Sequence, residues 1–130
     1  VAKHVLIIDD SQMESFMFRS LLERHGYKVT IAKDGGQGIQ AAKELQPDLV
    51  LMDVVMPHMN GFQATRELSR HELTRHIPVI ICSAKDGEVD RRWALRQGAK
   101  EYLVKPVQET GLLRAIGSNL NGVSKHDKSV

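Results

Sequence analysis

Two apolar runs, Val5-Leu6-Ile7-Ile8 and Leu49-Val50-Leu51-Met52, run straight into acid, Asp9-Asp10 after the first and Asp53 after the second. Neither run alternates apolar with polar residues. Both therefore predict strands buried on two faces, which is the condition of a parallel sheet covered by helices. If the two strands are parallel neighbours, three carboxylates crowd one mouth of the sheet. Each bare pair at ~4 Å would repel by roughly 4 kcal/mol at an effective dielectric of ~20, so a compensating cation is required.

The same pattern continues along the chain. Residues 4–9, 28–32, 48–53, 78–83 and 101–105 read as strands, and 12–25, 36–46, 61–70, 87–97 and 108–120 as helices. That order is (βα)5, an α/β fold with a doubly wound five-stranded parallel sheet. Helix signals agree with it. Ser11-Gln12-Met13-Glu14 has capping-box spacing, followed by a predicted apolar stripe of Met13, Phe16, Met17, Leu21 and Leu22. Asn60 is placed to cap a helix that turns Phe62 and Leu68 inward, and the last helix is expected to bury Leu112, Leu113, Ile116 and Leu120. Gly26 and Gly98 stand where two helices should end.

At 130 residues the chain reads as one domain over 1–121, with 122–130 a flexible tail of little burial value. A net charge of +2 from 18 basic and 16 acidic residues gives no field suited to nucleic acid or membrane binding. No apolar run approaches the ~18 residues of a membrane span, so a cytoplasmic protein is expected. Cys82 is the only cysteine and lies in an apolar run, where a buried inert thiol is the default. Met13, Met17 and Met52 read as core, Met56 and Met59 as loop residues. The six histidines lack ligand spacing with a third donor, and Asp34-Gly35-Gly36-Gln37-Gly38 lacks the Gly-Lys-Ser/Thr ending of a phosphate loop and reads as a turn.

In open α/β sheets ligands bind beyond the carboxyl ends of the strands. Asp9, Asp10, Asp53, Ser83 and Lys105 all fall there. Three carboxylates and one ammonium leave a formal charge of about −2, which one Mg²⁺ would neutralise, and Mg²⁺ takes oxygen ligands and bridges carboxylate to phosphate. Asp53 would then be a carboxylate nucleophile, with Ser83 and Lys105 holding phosphoryl oxygens, and the product would be an aspartyl phosphate.

Asp9-Asp10, Leu51-Met52-Asp53 followed by Met56-Pro57 and Asn60-Gly61, then Ser83-Ala84, Tyr102-Leu103 and Lys105-Pro106 together resemble the CheY-like receiver domain of bacterial response regulators. The resemblance covers about residues 3–121. It implies the flavodoxin-like strand order 2-1-3-4-5 and phosphorylation of Asp53 by a histidine kinase. It also implies Mg²⁺ bound by Asp10, Asp53 and the backbone carbonyl of Val55, with Asp9 reaching the metal through water. Lys105 would bridge to the phosphoryl group, Ser83 and Tyr102 would be the switch residues, and a cis bond would precede Pro106.

The stretch Met56 to Arg66, with Trp93 to Ala99, is most similar to stand-alone receivers of the type IV pilus twitching-motility system. That likeness implies a CheA-like kinase, a downstream effector on the face of the fourth helix, fifth strand and fifth helix, and a monomer or weak dimer. Two departures concern Val55 and Lys85, at positions that the resemblance implies flank the water route to the phosphoryl group. Val55 cannot hydrogen-bond an attacking water and Lys85 adds positive charge, so slow autodephosphorylation is expected.

Two other functions compete with a phosphorylation-controlled switch. A phosphatase of the haloacid dehalogenase-like class uses Asp-x-Asp, and Val55 stands where its second acid would be. A phosphorylation-independent scaffold has no need of the complete acidic set. Trp93, beside Val89, Arg91, Arg92 and Arg96 on a helix whose Ala94 and Leu95 are expected inward, is a candidate partner contact.

Overall fold

The computed structural model describes residues 1–120, so the tail expected at 122–130 lies outside the described residues. Strands β1 (His4–Ile8), β2 (Lys28–Ala32), β3 (Leu49–Asp53), β4 (Val79–Ser83) and β5 (Glu101–Val104) alternate with helices α1 (Gln12–Arg24), α2 (Gly35–Leu45), α3 (Gly61–Arg70), α4 (Glu88–Arg96) and α5 (Glu109–Leu120). All neighbouring strands are parallel, in the order β2-β1-β3-β4-β5. Register places Ile8 beside Met52 and Asp53 beside Cys82, which brings the acid-bearing ends of β1 and β3 to the same edge.

The absence of a two-residue period in the strands has a simple geometric reading. Leu6, Ile8, Val50, Met52, Val79 and Ile81 enter one core with Ile39, Ala42, Ala64, Leu68 and Ala94 from α2, α3 and α4. Their sequence neighbours Val5, Ile7, Leu49, Leu51, Ile80 and Cys82 enter a second core with Leu22 of α1 and Leu112, Ala115 and Ile116 of α5. Successive side chains point to opposite faces, and both faces are covered. Leu113 and Leu120 pack partly buried at the margin of the second core.

Local chemistry fixes the element ends. Asn60 forms a full capping box with Gln63, and Gly26 and Gly98 hold φ of 88° and 111°, where a side chain would be strained. The Lys105–Pro106 peptide bond is cis. Gly61 sits so close to the end of β3 that an added Cβ would lie 2.1 Å from the Asp53 carbonyl oxygen.

Several expectations need correction. On α1, Met13, Phe16 and Met17 are 75%, 64% and 62% exposed and are not core. The buried stripe is Ser15 and Leu22 with Phe18 and Leu21 partly covered. Ser15 escapes an apolar reading, yet its hydroxyl donates to the Ser11 and Gln12 carbonyls, so it enters the core with its polarity satisfied. Leu95 is exposed, because α4 docks through the single small residue Ala94. The segment from Gly35 to Gly38 is the first turn of α2, not a loop: Asp34 caps it, and Gly38 lets the helix lie against the Ile8 side chain. Strands β1, β3, β4 and β5 each fall one residue short of the expected ranges, so Asp9 and Lys105 lie just beyond their strands.

Candidate functional site

Asp9 leaves β1 with its N–H donating to the Ala32 carbonyl at 3.1 Å, and its Oδ1 accepts from the Ser11 N–H at 2.8 Å. Those bonds turn the chain sharply into α1 and hold a carboxyl that is only 2% exposed. Asp10, next in sequence, is exposed. Asp53 closes β3, and one oxygen from each of Asp9, Asp10 and Asp53 lies within 4.8 Å of the others. The sequence-predicted acids therefore converge.

Lys105 follows β5 and reaches across the mouth of the sheet. Its Nζ donates to Asp53 Oδ1 at 2.8 Å and lies 3.9 Å from Asp9 Oδ2. A further partner is Glu14, from the first turn of α1, whose Oε1 accepts from the same ammonium. Glu14 is a site residue that the sequence reading missed. Its place three residues after Ser11 suggested the reciprocal half of a capping box; instead Ser11 Oγ accepts from the Glu14 N–H at 3.2 Å while the Glu14 carboxylate turns to the cluster. The signal that would have found it is a first-turn acid directly after an acidic strand end.

Electrostatics follow from burial and pairing. Burial pushes the Asp9 carboxyl up to about 7, opposed by the Ser11 N–H and reinforced by the Asp53 charge. Burial also raises Asp53, against the hydrogen bond and charge of Lys105. For Lys105 burial alone would lower the pKa, but hydrogen bonds to Asp53 and Glu14 carry it above its ordinary value, so it is a firm cation. Burial pushes the Cys82 thiol up to about 12, which makes it an inert core residue.

Ser83 and Tyr102 are both buried, at 2% and 3% exposure. They are joined through one peptide segment. The Lys85 N–H donates to Ser83 Oγ at 3.1 Å, and the Tyr102 hydroxyl donates to the Lys85 carbonyl at 2.6 Å. Arg91 of α4 donates to the Tyr102 carbonyl at 3.1 Å, with its guanidinium 5.5 Å from the ring centre. The structure thus joins the two expected switch residues through the Lys85 peptide, with Val89 and Trp93 exposed on the same helix as Arg91. Val55 is 68% exposed just beyond the phosphoacceptor candidate.

The exposed α1 residues Phe16 and Met17 also line an open apolar groove with Met13, Lys105, Pro106 and Val107. Its volume is about 770 Å³, and it adjoins the acidic cluster through Glu14 and Lys105. Among the described residues no helix is long and apolar enough to cross a membrane.

Comparison with known proteins agrees with this geometry. The chain is 50% identical over 118 residues to protein PilH of Pseudomonas aeruginosa, covering 91% of this chain and 98% of that protein. It is 36% identical to the chemotaxis protein CheY of Thermotoga maritima, covering 96% of this chain and 100% of the relative. Among solved structures it is similar to a CheY-like receiver domain protein from Methanospirillum hungatei, with TM-score 0.87 and 28% identity over 97% of this chain and 99% of that one. It is also similar to the receiver domain of a sensor histidine kinase from Pseudomonas aeruginosa PAO1, with TM-score 0.86 and 30% identity over 93% of this chain and 99% of that one. That protein's structure has a magnesium ion coordinated in the active site cleft. The model of the response regulator receiver domain matches residues 5–117, and the chain belongs to that family.

Proposed function

We propose that the chain is a phosphorylation-controlled switch in which Asp53 accepts a phosphoryl group from a histidine kinase. The observation that carries this reading is the ammonium of Lys105 bound 2.8 Å from Asp53 Oδ1, at a mouth where Asp9 and Asp10 also converge. A carboxylate oxygen of Asp53 would attack the phosphorus of a phosphohistidine. The P–N bond breaks with its electron pair passing to the imidazole, and an aspartyl phosphate remains. Hydrolysis returns the carboxylate: water adds to phosphorus, the P–O bond to Asp53 breaks, and inorganic phosphate leaves.

The donor set fits a divalent metal, since three clustered carboxylate oxygens are hard ligands whose repulsion a cation relieves. Asp10, Asp53 and the Val55 carbonyl would hold Mg²⁺ directly and Asp9 through water. When bound, the ion supplies neutralisation of phosphoryl charge. The chain's own groups do the rest: Lys105 binds a phosphoryl oxygen, and Ser83 reaches the same group by giving up the Lys85 N–H. That release pulls on the peptide holding the Tyr102 hydroxyl, and the change reaches α4, β5 and α5, the proposed effector surface. Phosphate must favour one of the two arrangements differentially for the switch to work.

The test is incubation of the purified chain with Mg²⁺ and acetyl phosphate, followed by intact mass. Wild type should gain a phosphoryl group and Asp53→Asn should gain none; equal labelling of both would sink the assignment. Turnover of many phosphomonoesters per chain would instead support the phosphatase reading, for which Val55 offers no acid.

The exposed α1 face beside the cluster supports a docking role toward the kinase, because the phosphohistidine must be delivered at this mouth. Met17→Glu should slow phosphotransfer from a cognate kinase by about tenfold or more and leave labelling by acetyl phosphate near wild type. Equal losses with both donors would exclude docking. The similarity to PilH, with the local likeness noted above, supports a cytoplasmic role in type IV pilus twitching motility with a CheA-like donor.

A further inference from the structure

Lys105 is shared. Its ammonium is held between Asp53, at the floor of the mouth, and Glu14, on the α1 rim, and its side chain is only 14% exposed. Glu14 also changes the charge of the site: four carboxylates and one ammonium leave about −3, where the three strand-end acids alone would leave about −2. One divalent cation then does not reach neutrality. A phosphoryl group on Asp53 must enter a site that still carries negative charge, and it must take its lysine from a carboxylate that already holds it.

We propose that Glu14 is a positioning residue that competes with the phosphoryl group for Lys105, and so sets how readily Asp53 is phosphorylated and how long the phosphate lasts. This rests on the phosphoacceptor reading of Asp53. Glu14 acts through Lys105 and through its charge. With the acid in place the lysine stays partly committed to the α1 rim, and the rim repels an incoming dianion. Neutralising it frees the ammonium for phosphoryl oxygens. Because the Glu14 side chain is 42% exposed, the effect is moderate and screened by salt.

The experiment compares wild type with Glu14→Gln, which keeps the size and helix propensity of the side chain and removes the charge. Acetyl phosphate with Mg²⁺ is varied to separate the apparent KM from the maximal rate, and binding of beryllofluoride, a phosphoryl mimic, is titrated calorimetrically. Glu14→Gln should lower the KM and tighten beryllofluoride binding by roughly threefold to tenfold. Both gains should shrink at high ionic strength, and the phosphorylated variant should decay more slowly. A merely structural role would move the melting temperature without this KM shift or its salt dependence. Glu14→Ala should follow Glu14→Gln in direction. Unchanged or weaker binding in Glu14→Gln would overturn the inference while normal labelling of wild type leaves Asp53 as the acceptor; absent labelling of wild type would overturn both.

Discussion

Adding Mg²⁺ to the purified protein at neutral pH is expected to raise its melting temperature, and the increment should shrink as the pH falls below about 7. Without metal, the folded chain buries Asp9 and raises it from 3.8 to about 7. The folded state therefore binds a proton more tightly than the unfolded state over that interval. Stability from this group is fully present below about pH 4 and is lost as pH rises through about 7, a penalty on the order of 2–4 kcal/mol. Asp53, also raised, adds to it with the same sign.

A divalent cation is expected to reverse the penalty by binding the deprotonated carboxylates of the folded chain. At a hundredfold excess over the dissociation constant, the linkage contributes about 2.7 kcal/mol. For a domain of this size that corresponds to roughly 5 °C or more. Differential scanning calorimetry across pH, with and without Mg²⁺, checks the sign. Asp9→Asn should flatten the metal-free pH dependence and Asp10→Ala should shrink the metal increment. A melting temperature indifferent to Mg²⁺ at neutral pH, or an increment that grows on acidification, would contradict the account.

Gly61→Ala should cost about 3 kcal/mol or more in urea unfolding and should also depress labelling of Asp53. The obstacle to the added methyl is backbone: the Asp53 carbonyl oxygen at 2.1 Å, its carbon at 2.9 Å and the Val54 Cα at 2.9 Å. No rotamer change can relieve such a clash. The Gly61 N–H also donates to the Val54 carbonyl at 2.8 Å, so the start of α3 and the end of β3 are pinned from both sides. Displacing either shifts the peptide that carries Asp53. At Gly38, by contrast, the neighbour is a side chain rather than backbone, that of the fully buried Ile8. Gly117→Ala is the control: nothing lies within 4 Å in α5, so it should stabilise by about 0.5–1 kcal/mol. A Gly61→Ala protein as stable as wild type, with normal labelling, would remove the claim that this contact aims Asp53.

How much of this was legible in the sequence depends on the distance over which each feature is encoded. The two-faced burial of β1, β3 and β4 is written in consecutive residues, so the parallel sheet and its acidic mouth could be read directly. The caps at Asn60 and the left-handed ends at Gly26 and Gly98 are equally local. The orientation of α1 is not, because the stripe of highest hydrophobicity competes with a stripe that packs better. Ser15 wins a buried place through bonds to its own helix, and Phe16 and Met17 are left outside. Glu14 was missed for a related reason: its backbone joins the expected cap, but its carboxylate answers to a lysine 91 residues away. Leu95 turned out exposed because α4 packs through one alanine, which hydropathy alone does not reveal.

Lys85 meets the two proposed switch residues through its peptide groups, its N–H facing Ser83 and its carbonyl facing Tyr102, while its side chain stands in solvent. If Asp53 is phosphorylated as proposed, relay and clock are separated within a single residue: exchanging the Lys85 side chain should retune the lifetime of the signal and leave the two peptide hydrogen bonds in place.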